Sequence, residues 1–194
     1  MSEKGTVSKE RMVRAMALSL ETRGYNGTGL NEIVALSKSP KGSIYFHFPG
    51  GKEDLAAQAI TTSGRELGAM LRSLLESSKT TASGIGAIFK ALERKLIETD
   101  FSQGCPVATT ASETASHSNP VSEACKTVFA EWKEELEEFF IRTGWERKKA
   151  SELAISILCL LEGAILLSRT NRSSYPMKSA AKTAKILIQQ GESE

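Results

Sequence analysis

Aromatic side chains make up only 6% of this 194-residue sequence, and histidine occurs just twice, at His47 and His117. The two histidines are far apart, no carboxylate pair sits in a recognisable catalytic frame, and no glycine-rich phosphate loop is present. These gaps argue against an enzyme, and no catalytic residue, metal or cofactor is expected. The three cysteines, Cys105, Cys125 and Cys159, are odd in number and form no Cys-x-x-Cys pair. A disulfide framework is thereby excluded, and a reduced, cytoplasmic protein is expected. No basic segment followed by an apolar run opens the chain, so no secretory leader is read. The most apolar stretch, Leu153 to Leu167, is short and contains Glu162. A buried helix is expected there, not a membrane span. Charge of one sign is also lacking: the net charge is +2. Residues 1–60 carry eight Lys/Arg against six Asp/Glu, which permits DNA binding without demanding it.

What is present is helical text punctuated by glycine and proline. Long stretches rich in Ala, Leu, Glu, Lys and Ser favour helix over sheet, and no strand alternation or internal repeat appears. The expected fold is all-α with about nine helices. A first helix over 8–23, with Val13, Met16, Ala17 and Leu20 on one face, is stopped by Gly24. After the turn Gly24-Tyr25-Asn26-Gly27, Thr28 is the candidate cap of a short helix over 29–37, with Leu30, Ile33 and Val34 inward. Ser39-Pro40 signals the start of a third, very short helix over 40–47. A long amphipathic helix over 52–77 follows, then helices near 81–99, 105–116, 120–143, 146–170 and 176–190.

Two short helices joined by a tight turn, the second polar outside, is the helix-turn-helix arrangement. Side chains near the start of the second helix reach base edges in the B-DNA major groove, so they should be small or basic. Lys38, Ser39, Lys41, Gly42 and Ser43 meet that requirement and are the candidate base-reading residues. A plain helical hairpin in an all-α core has the same spacing. Against it stand Thr28, Tyr45, His47 and Lys52, each able to donate a hydrogen bond to a phosphate.

The stretch from Thr28 to Leu55, TGLNEIVALSKSPKGSIYFHFPGGKEDL, resembles the DNA-binding signature of TetR-family repressors. The likeness lies in Ile33 of the second helix, in Lys41-Gly-Ser-Ile-Tyr-Phe-His-Phe48, and in Lys52-Glu-Asp-Leu55. It implies that Thr28, Tyr45, His47 and Lys52 hold phosphates while residues 38–43 face bases. The family usually has glycine where this chain has Lys38, and a left-handed Lys38 costs on the order of 1 kcal/mol. Pro40-Lys-Gly-Ser43, Phe48-Pro-Gly-Gly-Lys-Glu53 and Gly104-Cys-Pro-Val-Ala108 are similar to the lincomycin-resistance and quercetinase-operon subgroup, some members of which respond to flavonoids. The same inducer is not implied.

The resemblance further implies a DNA-binding domain over 1–51 and a ligand-binding and dimerisation domain over 52–194. The expected partners are double-stranded operator DNA, a small-molecule inducer and a second copy of the chain, with no membrane. The helix over 146–170 is apolar nearly all round, so it needs neighbours on more than one side. Its residues Leu161, Ala164 and Leu167, with Ala181, Ala184 and Leu187 of the last helix, form either a monomeric core or, as the resemblance implies, an intermolecular four-helix bundle. Phe89, Leu92, Leu96, Phe101, Phe129, Trp132 and Leu136 read as ordinary core, but in the family this region surrounds an inducer cavity. Candidate polar groups there are His117, Glu113 and Glu162, the last divided between a structural hydrogen bond and a ligand contact. An alternative signal keeps the DNA binding: Cys105, at a helix start where the dipole lowers a thiol pKa, would sense oxidants or electrophiles. Its competing reading is a small buried packing residue.

Overall fold

Each break in the sequence has a local structural cause in the computed structural model, which describes residues 3–40, 42–116 and 119–191. Among these residues the secondary structure is helical throughout: α1 (Glu3–Arg23), α2 (Leu30–Ser37), α3 (Ser43–His47), α4 (Lys52–Glu76), α5 (Thr81–Glu98), α6 (Pro106–Thr114), α7 (Pro120–Arg142), α8 (Arg147–Asn171) and α9 (Tyr175–Gly191). The expected all-α class and number of helices hold.

Starts are set by side chains that satisfy otherwise orphaned amides. Thr80 and Ser83 form a reciprocal capping box at α5. Asn119 Oδ1 accepts the Ser122 amide at 2.9 Å ahead of α7, and the Glu146 carboxylate accepts the Lys148 and Lys149 amides at α8. Those two hydrogen bonds hold the Glu146 carboxyl below its ordinary range. Ends are set by left-handed residues. At α2, Lys38 donates to Ala35 O and Ser39 to Val34 O, the paired bonds of a Schellman turn. The same pairing closes α7 at Gly144 and α8 at Arg172. Two boundaries differ from expectation. α1 begins earlier, at Glu3, and α3 begins at Ser43 instead of Pro40, with Ser43 N–H donating to Pro40 O at 3.0 Å just ahead of it.

The described residues fall into two compact units, Met1–Glu66 with Cys105–Phe129, and Leu67–Gly104 with Ala130–Glu194. In the first, Met12, Met16 and Leu20 of α1, Ile33 of α2, Ile44 and Phe48 around α3, and Leu55, Ala56, Ala59 and Ile60 of α4 make a buried apolar core. Ala17, Leu30 and Val34, expected inward, are half-buried. α6 packs on α1, and α4 approaches α7 so closely that a Cβ at Gly64 would lie 2.5 Å from Val128. In the second unit α8 packs on α9, and both pack on α5. The inner stripe of α8 runs Ala150, Leu153, Ala154, Ile157, Leu158, Leu161, Ala164, Ile165 and Ser168. α4 is one uninterrupted 25-residue helix that begins in the first unit and ends in the second. The compact units therefore interleave along the chain and do not divide between residues 51 and 52.

By length and composition α8 is apolar enough to cross a membrane. The expectation that this segment is too short rested on Leu153–Leu167 alone, and the helix extends on both sides of it. Its inner stripe is buried against α9 and α5, as in a soluble core helix.

Candidate nucleic-acid interface

The helix-turn-helix is anchored by its apolar residues. Ile33 on α2 and Ile44 and Phe48 around α3 are fully or almost fully buried. Arg23 at the end of α1 pairs with Glu32 of α2 at 2.6 Å, fixing the two helices at their polar edge. The turn between α2 and α3 depends on Lys38, at φ 51° and ψ 36°. A residue with a Cβ costs about 1–2 kcal/mol in that conformation, yet its exposed side chain carries a positive charge outward from the turn.

The side chains expected to contact DNA separate into two groups. Gly42 is exposed with open space where a Cβ would stand. Ser43 is half-buried, and its hydroxyl donates to Pro40 O. Tyr45 is 64% exposed, its ring lying against the left-handed Gly51. His47 is half-buried, edge-on to Phe46 with ring centroids 5.0 Å apart. Lys52 opens α4, and its Nζ stands 4.2 Å from the centroid of the Tyr25 ring. Desolvation there pulls the Lys52 ammonium below its ordinary value, opposed by the charge of Glu113. The same crowding pushes the Tyr25 phenol up, helped by Glu53. Lys41 lies outside the described residues.

Two expected contacts are corrected. Thr28 is 1% exposed and its hydroxyl donates to Gly24 O at 2.7 Å, so it ties the turn after α1. It neither caps α2, whose N-cap is Gly29 without a side-chain bond, nor presents a donor to a phosphate. Ser39 is also buried: its hydroxyl donates to Ser37 O at 3.3 Å and accepts from Ser8 Oγ at 3.2 Å. It joins α1 to the turn and does not face a base. Small hydroxyl side chains readily bond local carbonyls, and composition alone does not show when they do. Sequence reasoning also passed over Phe46, whose spacing between Ile44 and Phe48 places it opposite the core, and Tyr25, which supports Lys52.

Glu113 of α6, expected among the polar groups of a ligand cavity, lies instead against the turn after α1. Its carboxylate accepts the Asn26 amide at 2.6 Å, and its Oε1 would lie 2.0 Å from a Cβ on left-handed Gly24. Glu113 therefore serves the α1–α2 turn, not a ligand. Cys105 is buried and its Sγ accepts the Ala108 amide at 3.3 Å as the N-cap of α6. Enclosure removes the accessibility that an oxidant sensor needs, and the exposed thiol is that of Cys159.

In the second unit Phe89, Leu92, Leu96, Trp132 and Leu136 are buried. Phe101 is half-buried and left-handed in the turn that ends α5. Glu162 is half-buried on α8, and Phe129 is half-buried in the first unit. His117 lies outside the described residues. Of the expected dimer residues, Leu161, Ala164 and Ala184 are buried in their own chain, which corrects that assignment. Leu167 is 53% exposed, and Ala181 and Leu187 are half-buried. The outward face instead carries Ile155, Leu166, Leu167 and, on α9, Ile186. An open groove of about 430 Å³, lined by Ile155, Ser156, Cys159, Leu160 and Leu187, runs along it.

A short exposed helix, set on a buried apolar anchor and preceded by a tight turn, defines a helix-turn-helix DNA-binding protein. Residues 8–59 match the bacterial regulatory proteins of the tetR family, and residues 81–183 match the C-terminal domain of LmrA/YxaF-like transcriptional regulators. The chain belongs to the TetR family of transcriptional regulators, with a C-terminal domain of the LmrA/YxaF-like kind. It is 37% identical over 170 residues to the HTH-type transcriptional regulator LmrA of Bacillus subtilis, covering 88% of this chain and 90% of that protein. It is 32% identical over 181 residues to the HTH-type regulator YxaF of the same organism, covering 93% and 95%. The fold is shared with a TetR regulator from Legionella pneumophila, with a TM-score of 0.83 at 22% identity and coverage of 97% and 98%. The family is one of regulators and not of enzymes.

Proposed function

We propose that this regulator is a cytoplasmic repressor that binds operator DNA as a homodimer and is released by a small aromatic molecule. The observation that carries the DNA side is the outward face of α3 and its flanks. Lys38, Gly42 and Ser43 are offered to bases, while Tyr45, His47 and Lys52 are offered to phosphates. Pairing of two such modules is what a two-fold operator requires. The outer face of α8 and α9 supplies an apolar surface for it, with Ile155, Leu166, Leu167 and Ile186 largely uncovered. Residues 1–51 carry the DNA contacts, and residues 52–194 carry pairing and ligand response.

Release follows from the continuity of α4, which starts at Lys52 beside the DNA-facing residues and runs without a break to Glu76. A ligand held near Trp132, Phe89, Leu96 and Glu162 shifts that helix and with it the spacing of paired α3 helices. Aromatic side chains among aliphatic ones suit a planar apolar ligand. The test is operator binding titrated with planar aromatics that raise the melting temperature. Linkage requires that the ligand bind free protein more tightly than operator-bound protein by the factor with which it weakens operator binding, typically about 5- to 150-fold. Trp132→Ala removes a buried ring at about 3–5 kcal/mol, so Trp132→Phe is the usable variant. It should weaken the ligand while leaving ligand-free operator affinity intact. A compound that saturates the protein without moving operator affinity would overturn the reading.

A further inference from the structure

Phe46 is the largest unexplained feature of the DNA-facing unit. Ile44 and Phe48 stand one helical turn apart and are buried, which fixes the core side of α3. Phe46, midway between them, points away from that core and is 73% exposed. It is the most exposed large apolar side chain among the described residues of its unit, ahead of Tyr45, Leu36, Leu18 and Val7. Gly42 and Ser43, four and three positions before it, share its face. At Gly42 a Cβ would meet nothing within 4 Å, so the backbone beside the ring is bare. The ring touches the edge of His47, with planes at 78°.

A phenyl ring can neither donate to a phosphate nor hydrogen-bond a base edge. The one apolar group that base pairs present in the major groove is the C5-methyl of thymine. The minor groove, about 6 Å wide, does not admit a helix. We propose that Phe46 is a specificity-determining residue that packs on the C5-methyl of a thymine in each half-site of the operator. The inference rests on the reading of α3 as the base-contacting helix and adds the base it selects.

The experiment begins with the full-length protein selecting duplexes from a randomised pool. Each thymine of the enriched site is then replaced in turn by deoxyuridine, which keeps the base pair and removes only the methyl group. Affinities are measured for wild type, Phe46→Ala and Phe46→Leu. At one thymine per half-site, deoxyuridine should weaken wild-type binding about fourfold, the equivalent of one buried methyl. It should leave Phe46→Ala unchanged, and Phe46→Leu should fall between. A pool selected with Phe46→Ala should lose its preference for thymine there. Because the side chain is exposed, circular dichroism of the variants should match wild type. If losses from deoxyuridine and from Phe46→Ala simply add at every thymine, the methyl is not the partner and the proposal fails while α3 keeps its role. Failure of wild type to enrich any sequence would overturn both.

Discussion

Replacing Leu166 by arginine separates the two surfaces of α8 by experiment. Leu166 is 63% exposed in the single chain, and Leu167 next to it, Ile155 three turns earlier on α8 and Ile186 on α9 are 53%, 48% and 52% exposed. Full burial of a leucine side chain is worth about 1.5–3 kcal/mol. With nearly two thirds still uncovered, pairing gains roughly 1–2 kcal/mol from each Leu166. A two-fold interface contains the residue twice, so the variant forfeits roughly 2–4 kcal/mol, before any desolvation of the guanidinium. That raises the dimer dissociation constant about 30- to 900-fold. Sedimentation equilibrium at micromolar protein should show folded monomers with normal helix content, and operator affinity should fall with dimerisation. Ala164→Arg is the control: Ala164 is 4% exposed in its own core, so a charge there should unfold the unit instead of yielding a clean monomer. A Leu166→Arg protein as dimeric as wild type, alongside a folded, monomeric Ala164→Arg, would refute the assignment of faces.

Two other substitutions test the DNA side. Lys52→Ala should weaken binding to all sequences alike and lower the slope of log affinity against log salt by about 1.8, about 0.9 for the phosphate lost in each half-site of the dimer-bound operator. Loss of its place over Tyr25 should lower stability by about 0.5–1 kcal/mol in a denaturant titration; an unchanged salt slope would remove Lys52 from the phosphate contacts. Thr28→Val should leave that slope untouched but destabilise the fold by about 1–3 kcal/mol, since the Gly24 carbonyl loses its buried donor. A stable Thr28→Val protein with weakened DNA binding would restore the phosphate role that burial now denies it.

Helix ends and family membership were legible in the amino-acid order, because both rest on short-range chemistry. Gly24, Asn119-Pro120, Gly144 and Tyr175-Pro176 mark breaks whatever the rest of the chain does, since backbone freedom and missing amides act locally. The left-handed Lys38 was likewise visible as a departure from a glycine position. Orientation was not. α8 is apolar around most of its circumference, so periodicity leaves its inner face undefined, and only packing on α9 and α5 turned Leu161 and Ala164 inward and Leu166 and Leu167 outward. Thr28 and Ser39 look like surface hydroxyls in one dimension, yet long-range placement of α1 against the turn buried them on local carbonyls. Glu113 meets Asn26 across 87 positions of chain, a contact no local pattern encodes. Phe46 lies between these cases: its helical phase was readable from Ile44 and Phe48, but its exposure is a property of what the folded unit leaves uncovered.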